Sequence, residues 1–273
     1  CPHCKQRFPL TNHMYIVKTP KKKIGIKIIP KNKDFVIEII HNITESEGKK
    51  LTQKEGNAIC ISCKNSIDYK TMTKDISKNK DREIIAIQIQ KNKGREYVVP
   101  TKEDKKLYQD AVKYFESNRK EFEKEDWIPN ENILPTNRRE SMLWHYDIQK
   151  WDQYFDQRQL LVLVIFKKNI KDICKQIKDK EYRGVIALYL SAILAKRIDM
   201  AGFGVLWHST REITSSVMSL RQPRIAYNFA ESNPFESVSG AINNIKNNIR
   251  SGILFATRLQ NQSKCNLESV TIP

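Results

Sequence analysis

The chain has 273 residues, which allows one large domain or two smaller ones, and 40% of them are hydrophobic, enough for an ordinary core. Its longest apolar run, Leu160 to Phe166, is far shorter than the roughly 20 residues that cross a bilayer, and the first residues show no apolar region typical of a signal peptide. These features exclude a membrane-spanning or secreted class and predict a cytoplasmic protein, in which cysteines more often bind metal than form disulfides.

The charge is strongly basic. Lysine and arginine outnumber aspartate and glutamate by 48 to 31, a formal net charge of +17, and the first hundred residues hold 21 of the former against 10 of the latter. Such an excess favours a polyanionic partner, most simply nucleic acid. A lysine-rich proteome would give the same excess, so that explanation stays open.

The first hundred residues predict short strands. Two β-branched runs, Ile24 to Pro30 and Phe35 to Ile40, flank the polar turn KNKD and predict a hairpin. A second hairpin is predicted from Arg82–Gln90 and Arg95–Pro100, with Gly94 supplying the positive φ of its turn.

Helices dominate the predictions after residue 100. Thr101 begins a capping box with Asp104, and apolar residues then recur at helical spacing as far as Phe122. The proline- and aromatic-rich stretch from Asp126 to about Tyr154 predicts an irregular connector held by aromatic packing. Three further helices are predicted, the first starting at Asp156, the second covering Tyr182 to Arg197 and the last running roughly from Ser239 to Leu259.

Two C-x-x-C pairs are the strongest chemical motif. Cys1 and Cys4 form the first pair, and Cys60 and Cys63 form the second after an interval of 55 residues. Four thiolates suit a tetrahedral zinc ion, and a fully protein-ligated ion is structural. Disulfides are disfavoured by the compartment, and neither pair opens a helix as a thioredoxin-like motif would. His3 is interpreted as a turn residue rather than a fifth ligand.

The predicted fold class is α+β, with an N-terminal β-rich zinc-ribbon module followed by a mainly helical domain. Its predicted segments are 1–100 for the zinc ribbon with an inserted hairpin, 101–155 for the capped helix and connector, and 156–273 for the helical domain. Both ends of the chain look cut, because Cys1 is not a usual first residue and the last residues read as the approach to a strand. We therefore expect an internal piece of a longer polypeptide.

Other motifs carry weaker signals, and no catalytic or cofactor-binding residue is predicted. The triplet Asn233-Pro234-Phe235 has one proline fewer than the loop with which amino-methyltransferases bind a flipped base, so a turn is the favoured interpretation. The stretch from Trp207 to Glu212 predicts a structural histidine, with Ser209 or Thr210 as a helix cap. Three nearby arginines are candidate phosphate contacts: Arg211, Arg221 and Arg224.

The order of motifs along nearly the whole chain resembles that of the zinc-ribbon-containing adenine-specific DNA methylases. The motifs are CPHC with FPL, GNAICISCKNSI, REYVVPTKEDKKLYQDA, WDQYFDQRQLLVLVIF, LWHSTREI and FAESNPF. The resemblance implies a parent enzyme that transfers a methyl group from S-adenosylmethionine to adenine N6 in DNA. It also implies that this chain lies between two halves of the catalytic domain, without the cofactor loop and the DPP(Y/F) loop, and is inactive alone. Gln157 stands where the family pattern has proline.

By this resemblance the partners are DNA and the remaining halves of the methyltransferase domain, and the segment engages DNA or recognises the target. The candidate phosphate contacts are six lysines of the first hairpin: Lys21, Lys22, Lys23, Lys27, Lys31 and Lys33. Ordinary solvated lysines are the alternative. Two other hypotheses stay open: a non-catalytic zinc-ribbon adaptor for nucleic acid or protein, and a structural insertion whose charge has no specific partner.

Overall fold

A computed structural model describes residues 1–136, 142–220, 223–236 and 238–263. They form a mixed α/β structure in which every sheet is small and antiparallel. None of the helices described is both long and apolar enough to cross a membrane.

The first sheet contains the predicted hairpin. Strand β1 (Tyr15–Lys18) pairs with β2 (Lys23–Lys31), which pairs from Ile24 to Lys31 with β3 (Asp34–His41). The turn between β2 and β3 has two residues of positive φ, Asn32 at 48° and Lys33 at 63°. This two-residue geometry matches the twist of the strands, so the hairpin prediction is confirmed.

A set of short elements surrounds the second cysteine pair. Helix α1 (Glu45–Gly48) precedes a sheet of β4 (Gln53–Lys54), β5 (Asn57–Ile59) and β6 (Ser66–Ile67). Helix α2 (Tyr69–Asn79) follows directly, with Asp68 as its N-cap. The sequence had not predicted these elements.

The second predicted hairpin is shorter than expected. It consists of β7 (Ile87–Gln90) and β8 (Arg95–Val98), and Gly94 has the positive φ that its turn requires, at 90°. Residues 82–86 do not belong to the strand. Glu83 in this stretch instead receives ion pairs from side chains outside the hairpin, which hold it away from the ladder.

Helix α3 (Lys102–Lys124) begins with the predicted capping box, in which Thr101 and Asp104 each accept a hydrogen bond from the other's backbone N–H. Phe115 and Phe122 are buried in a core shared with the next long helix. Other members of the predicted apolar face, including Leu107 and Tyr114, are exposed. The apolar face predicted for α3 is therefore wider than the face that the helix buries.

The irregular connector is confirmed. Between α3 and the next long helix the chain forms a short 3₁₀ turn at Trp151–Tyr154. Apart from this turn and one helical turn at residues 142–144, the described connector is irregular, and Leu143, Tyr146, Ile148 and Tyr154 are all buried in one core cluster that holds it in place.

The C-terminal half contains α4 (Gln157–Gln176), α5 (Lys180–Asp199) and α6 (Ile242–Ser263), with a two-stranded ladder, β9 (Trp207–His208) and β10 (Ile213–Thr214), between the last two. A capping box starts α4: the Asp156 side chain accepts from Arg158 N, and Asp156 N donates to Gln159 Oε1. Gln157, where the pattern of the resembled methylases has proline, is therefore compatible with the helix start. Ser209 and Thr210 lie in the β9–β10 turn, so the prediction of a helix cap there is wrong.

A buried arginine fixes the segment before α6. The side chain of Arg197, on α5, is 2% exposed. It donates to Ser232 Oγ at 2.8 Å, to Ser232 O at 3.1 Å and to Gly240 O at 3.1 Å. These bonds replace the hydration that a buried guanidinium loses.

The β9–β10 ladder packs against the first sheet. The indole N–H of Trp207 donates to Ile16 O at 2.6 Å, and Lys18 N donates to Ser209 O at 2.9 Å. A guanidinium N–H of Arg95 donates to Glu212 O at 3.0 Å. Hydrogen bonds therefore connect the first hundred residues with the C-terminal part.

Candidate functional site

The four cysteines of the two C-x-x-C pairs converge. Cys1 Sγ lies 3.7 Å from Cys63 Sγ, and Cys4 Sγ lies 3.6 Å from Cys60 Sγ. All four sulfur atoms lie within 4.8 Å of one another. Four close thiols of this kind could hold one metal ion.

Each knuckle makes the same turn. Lys5 N donates to Cys1 O at 2.9 Å, and Lys64 N donates to Cys60 O at 3.2 Å. Both lysines have φ of 61°, in the left-handed region that side chains with a Cβ seldom occupy. The repeated conformation brings both sulfur atoms of a pair to one side of the turn.

Neighbouring elements fix the two turns in place. The second knuckle closes the β5–β6 hairpin, where Cys60 N donates to Asn65 O at 3.1 Å. The first knuckle is tied to the main hairpin by the buried side chain of Gln6, which donates to Asp34 O at 2.5 Å. The main hairpin and the second knuckle thus place the cysteine pairs opposite each other.

The donor set fits a zinc ion. A tetrahedral ion with metal–sulfur distances of about 2.3 Å has sulfur–sulfur edges of about 3.8 Å, close to the two distances observed here. Disulfide bonds need about 2.05 Å between sulfur atoms, and all four thiols are free. The geometry is compatible with structural zinc.

The thiols do not share one electrostatic environment. The backbone N–H of Gln6 lowers the pKa of Cys4 below its ordinary value, and further bonds from Cys60 and Cys63 act the same way. The N–H of Asn65 lowers the pKa of Cys63, but desolvation and the thiols of Cys4 and Cys60 outweigh it, so this pKa is raised. Closely packed thiols that give up protons one after another behave in this way.

The other sulfur and imidazole candidates stay outside the cluster. Within the described ranges the group that could hold a metal contains the four cysteines alone, so His3 supplies no ligand atom. The side chain of His3 is exposed beside the cluster. Cys174 is half-buried on α4.

No family model, no curated protein and no solved structure matches the chain. The resemblance to the DNA methylases therefore rests on the order of motifs in the sequence. The other evidence about function is the geometry of the side chains.

The hairpin lysines form an exposed row. Three lysines of β2 lie on one face of the strand, because side chains an even number of residues apart point the same way. They are Lys23, Lys27 and Lys31, and all three are exposed. Glu38 lies opposite Lys27 and Asp34 opposite Lys31 in the register. Among the described side chains, no carboxylate lies within ion-pair distance of these three lysines.

The remaining lysines mark the two ends of this row. Lys21 is exposed in the β1–β2 turn, and Lys22 is half-buried, with its ammonium 5.4 Å from the centre of the Tyr97 ring. At the other end Lys33 is exposed, and its carbonyl accepts from Arg7 N at 2.8 Å, beside the first knuckle. Nine residues of β2 span roughly 26 Å between the ends.

The three arginine candidates differ in their surroundings. Arg211 is exposed in the β9–β10 turn. This turn lies near the Lys21 end of the lysine row, because Lys18 N donates a hydrogen bond to Ser209 O in the same turn. Arg224 uses its guanidinium inside the fold, donating to Gly204 O at 2.8 Å and to Ser215 Oγ at 3.0 Å. Arg221 lies outside the described residues. A phosphate role for any of the three stays a prediction.

The NPF triplet forms the predicted turn. Phe235 N donates to Asn233 Oδ1 at 3.0 Å, which is an Asx turn, and Ile242 N donates to Pro234 O at 2.9 Å at the start of α6. The Asn233 oxygen is thus engaged by its own backbone, and the turn interpretation is confirmed.

A large cavity is the feature that the sequence did not predict. It has a volume of about 1810 Å³ and is lined by both the N-terminal strands and the loops between β10 and α6. Its lining includes the side chains of Arg82, Phe203 and Phe229. No motif or spacing pointed to Arg82.

Proposed function

We propose that Cys1, Cys4, Cys60 and Cys63 bind one structural zinc ion, and that the module built around it presents basic side chains to DNA. The observation that carries this proposal is the convergence of four thiols to within 4.8 Å across an interval of 55 residues. In this proposal the chain is an internal segment of a DNA adenine-N6 methyltransferase.

The proposed role of the zinc ion is structural. Four thiolates complete a tetrahedral shell and leave no position for water or substrate. The ion would clamp the main hairpin to the β4–β6 sheet through the two knuckles. The N-terminal part would then form a zinc-ribbon module with an inserted hairpin, ahead of a mainly helical domain.

The proposed DNA contacts lie on the exposed lysine row of β2 and at its two ends. Support comes from the net charge of +17 and from the absence of carboxylate partners for Lys23, Lys27 and Lys31 among the described residues. Lysines that neutralise phosphates release counterions, so such binding is strongly salt-dependent.

The methyltransferase assignment rests on the motif order of the resemblance. The parent enzyme would use S-adenosylmethionine, bound by a loop outside this chain, and the flanking halves of the catalytic domain would be partners of this segment. A zinc-ribbon adaptor is the competing proposal. The two differ in the flanking reading frame: a glycine-rich cofactor loop before this segment and a DPP(Y/F) loop after it support the enzyme, and their absence supports the adaptor.

The DNA role is tested by reversing four lysines together, Lys21, Lys22, Lys23 and Lys27, each to Glu. The expected result is weaker binding to duplex DNA and a shallower dependence on salt. The slope of log affinity against log salt falls by about 0.9 for each phosphate that the variant no longer neutralises. Binding is measured by fluorescence anisotropy at several salt concentrations.

A matched control separates this surface from the net charge. It reverses four exposed lysines of α3 instead: Lys102, Lys106, Lys113 and Lys120. Both variants carry the same net charge, so only a specific surface distinguishes them. Equal slopes in the two variants would reject the DNA role of the hairpin, whereas unchanged zinc content in both would leave the metal proposal standing.

A further inference from the structure

One arginine in the lining of the large cavity has no carboxylate partner among the described residues. Five arginines line the cavity within the described ranges: Arg7, Arg82, Arg95, Arg119 and Arg158. Four of them have carboxylate partners within 4 Å, and Arg82 has none in the part of the chain that the structure describes. A half-buried guanidinium normally has a carboxylate or several hydrogen-bond acceptors around it, as Arg197 does, so the surroundings of Arg82 need a reason.

The carboxylate that most favours the charged form of Arg82 already has other partners. Asp156 acts on Arg82 only through its charge, and its carboxylate accepts from Tyr108 Oη at 2.6 Å and from Arg158 N at 3.0 Å. The one hydrogen bond that Arg82 makes within the described residues goes to the neighbouring Asp81 carbonyl, at 3.1 Å. Desolvation accordingly lowers the pKa of Arg82 from its ordinary value.

An aromatic surface holds the Arg82 guanidinium in the cavity. Its central carbon lies 4.7 Å from the centre of the Phe203 ring, and Phe203 meets Phe229 edge to face at 5.0 Å. Phe203 is itself buried, so the ring beneath the guanidinium has a fixed position. A planar guanidinium stacked on such a ring suits the bidentate recognition of an oxyanion.

We propose that Arg82, stacked on Phe203, is a phosphate-binding site, and that the cavity takes a nucleotide, either free or as part of a single nucleic-acid strand. The partly exposed rings of Phe229 and Tyr227, which line the same cavity, offer apolar surface for a base beside the phosphate. The cavity volume exceeds the roughly 300–1,000 Å³ of ordinary small-molecule sites, which leaves room for more than one nucleotide.

This site goes beyond the lysine surface of the proposed function and does not depend on it. It uses different residues and a different form of nucleic acid. The four-lysine variant should keep its affinity for a mononucleotide, and a change at Arg82 should leave the salt dependence of duplex binding unchanged.

The experiment measures the binding of adenosine monophosphate, adenosine and a 5′-labelled single-stranded oligonucleotide to the intact chain, by calorimetry and anisotropy. Arg82→Gln removes the charge, Arg82→Lys keeps it without the planar fork, and Arg250→Gln is the control on the exposed side of α6. We expect Arg82→Gln to weaken binding of a phosphate-bearing ligand at least about tenfold, Arg82→Lys less, and Arg250→Gln not at all.

The two sources of phosphate give different patterns. Tight binding of the mononucleotide indicates a free nucleotide, and tight binding of the oligonucleotide alone indicates a strand; either supports the site if it depends on Arg82. The proposal is overturned if wild-type chain binds adenosine as well as adenosine monophosphate, a result that needs no variant. It is also overturned if neither phosphate ligand binds, or if Arg82→Gln binds them with wild-type affinity.

A stability measurement separates this site from a purely structural arginine. Replacing Arg82 leaves no carboxylate without its partner, so we expect the unfolding midpoint of Arg82→Gln to be near that of the wild type. Arg158→Gln should unfold earlier, because it strands Glu231, which accepts two bonds of 3.0 Å from Arg158. If Arg82→Gln loses as much stability as Arg158→Gln, Arg82 serves the fold and the proposal fails.

Discussion

Replacement of Cys60 by Ser should remove the metal and a large part of the stability of the N-terminal module. Cys60 is fully buried, and its sulfur lies 3.6 Å from that of Cys4, which is 56 positions away along the chain. A hydroxyl is a poor substitute for a thiolate at zinc, so the clamp between the two knuckles opens.

The expected loss follows from the length of chain that the clamp closes. The chain-entropy relation for a cross-link over about 56 residues gives about 4 kcal/mol of stabilisation. Zinc bound to small structural sites contributes about 10–16 kcal/mol, so about 4 kcal/mol is a lower bound. The change in side-chain volume contributes little to the expected loss of stability, because Ser is close to Cys in size.

The assay is guanidinium unfolding followed by circular dichroism, together with metal analysis of the purified protein. Cys174→Ser is the matched control, because Cys174 is half-buried and lies outside the cluster. Chelator should destabilise the wild-type chain and the control variant, but not Cys60→Ser. Equal stability and equal metal content in the two serine variants would refute the reasoning.

Three further changes test the packing. Gly25→Ala should cost about 1–3 kcal/mol, since its new Cβ would lie 2.7 Å from the Met14 carbonyl oxygen; Gly184→Ala, in open space on α5, should gain about 0.8 kcal/mol in the same thermal unfolding assay. Arg197→Met should cost about 3 kcal/mol in guanidinium unfolding by stripping its buried acceptors of their donors, and a loss under 1 kcal/mol would contradict that. Burial lowers the pKa of His13 below 6.5, so the unfolded chain takes up its proton first and stability falls as the pH drops below about 6.5; His13→Gln should flatten this part of the stability–pH curve, and an unchanged curve would contradict it.

Local chemistry made part of the fold predictable. The KNKD turn, Gly94 and the Thr101–Asp104 capping box each act through a few neighbouring residues, and each has the expected conformation. The C-x-x-C pairs likewise predict their own turns, because spacing alone brings two sulfur atoms to one side. Their convergence was expected from the preference of zinc for four thiolates rather than from any local rule.

Contacts distant in sequence set the features that were missed. The strands β4 to β6 are two or three residues long, too short for a periodic signal, and form around the second knuckle. Leu107 and Tyr114 follow a helical period, yet they are exposed, because α3 packs against α4 over a narrower face. Arg82 stands out only when the carboxylates around it are known in three dimensions.

The central claim is that one zinc ion joins the two knuckles, and X-ray absorption at the zinc edge, combined with metal analysis of the purified chain, tests it most directly. We predict one zinc per chain with a shell of four sulfur atoms at about 2.3 Å. A substoichiometric metal content, or a shell containing nitrogen or oxygen, would contradict the claim.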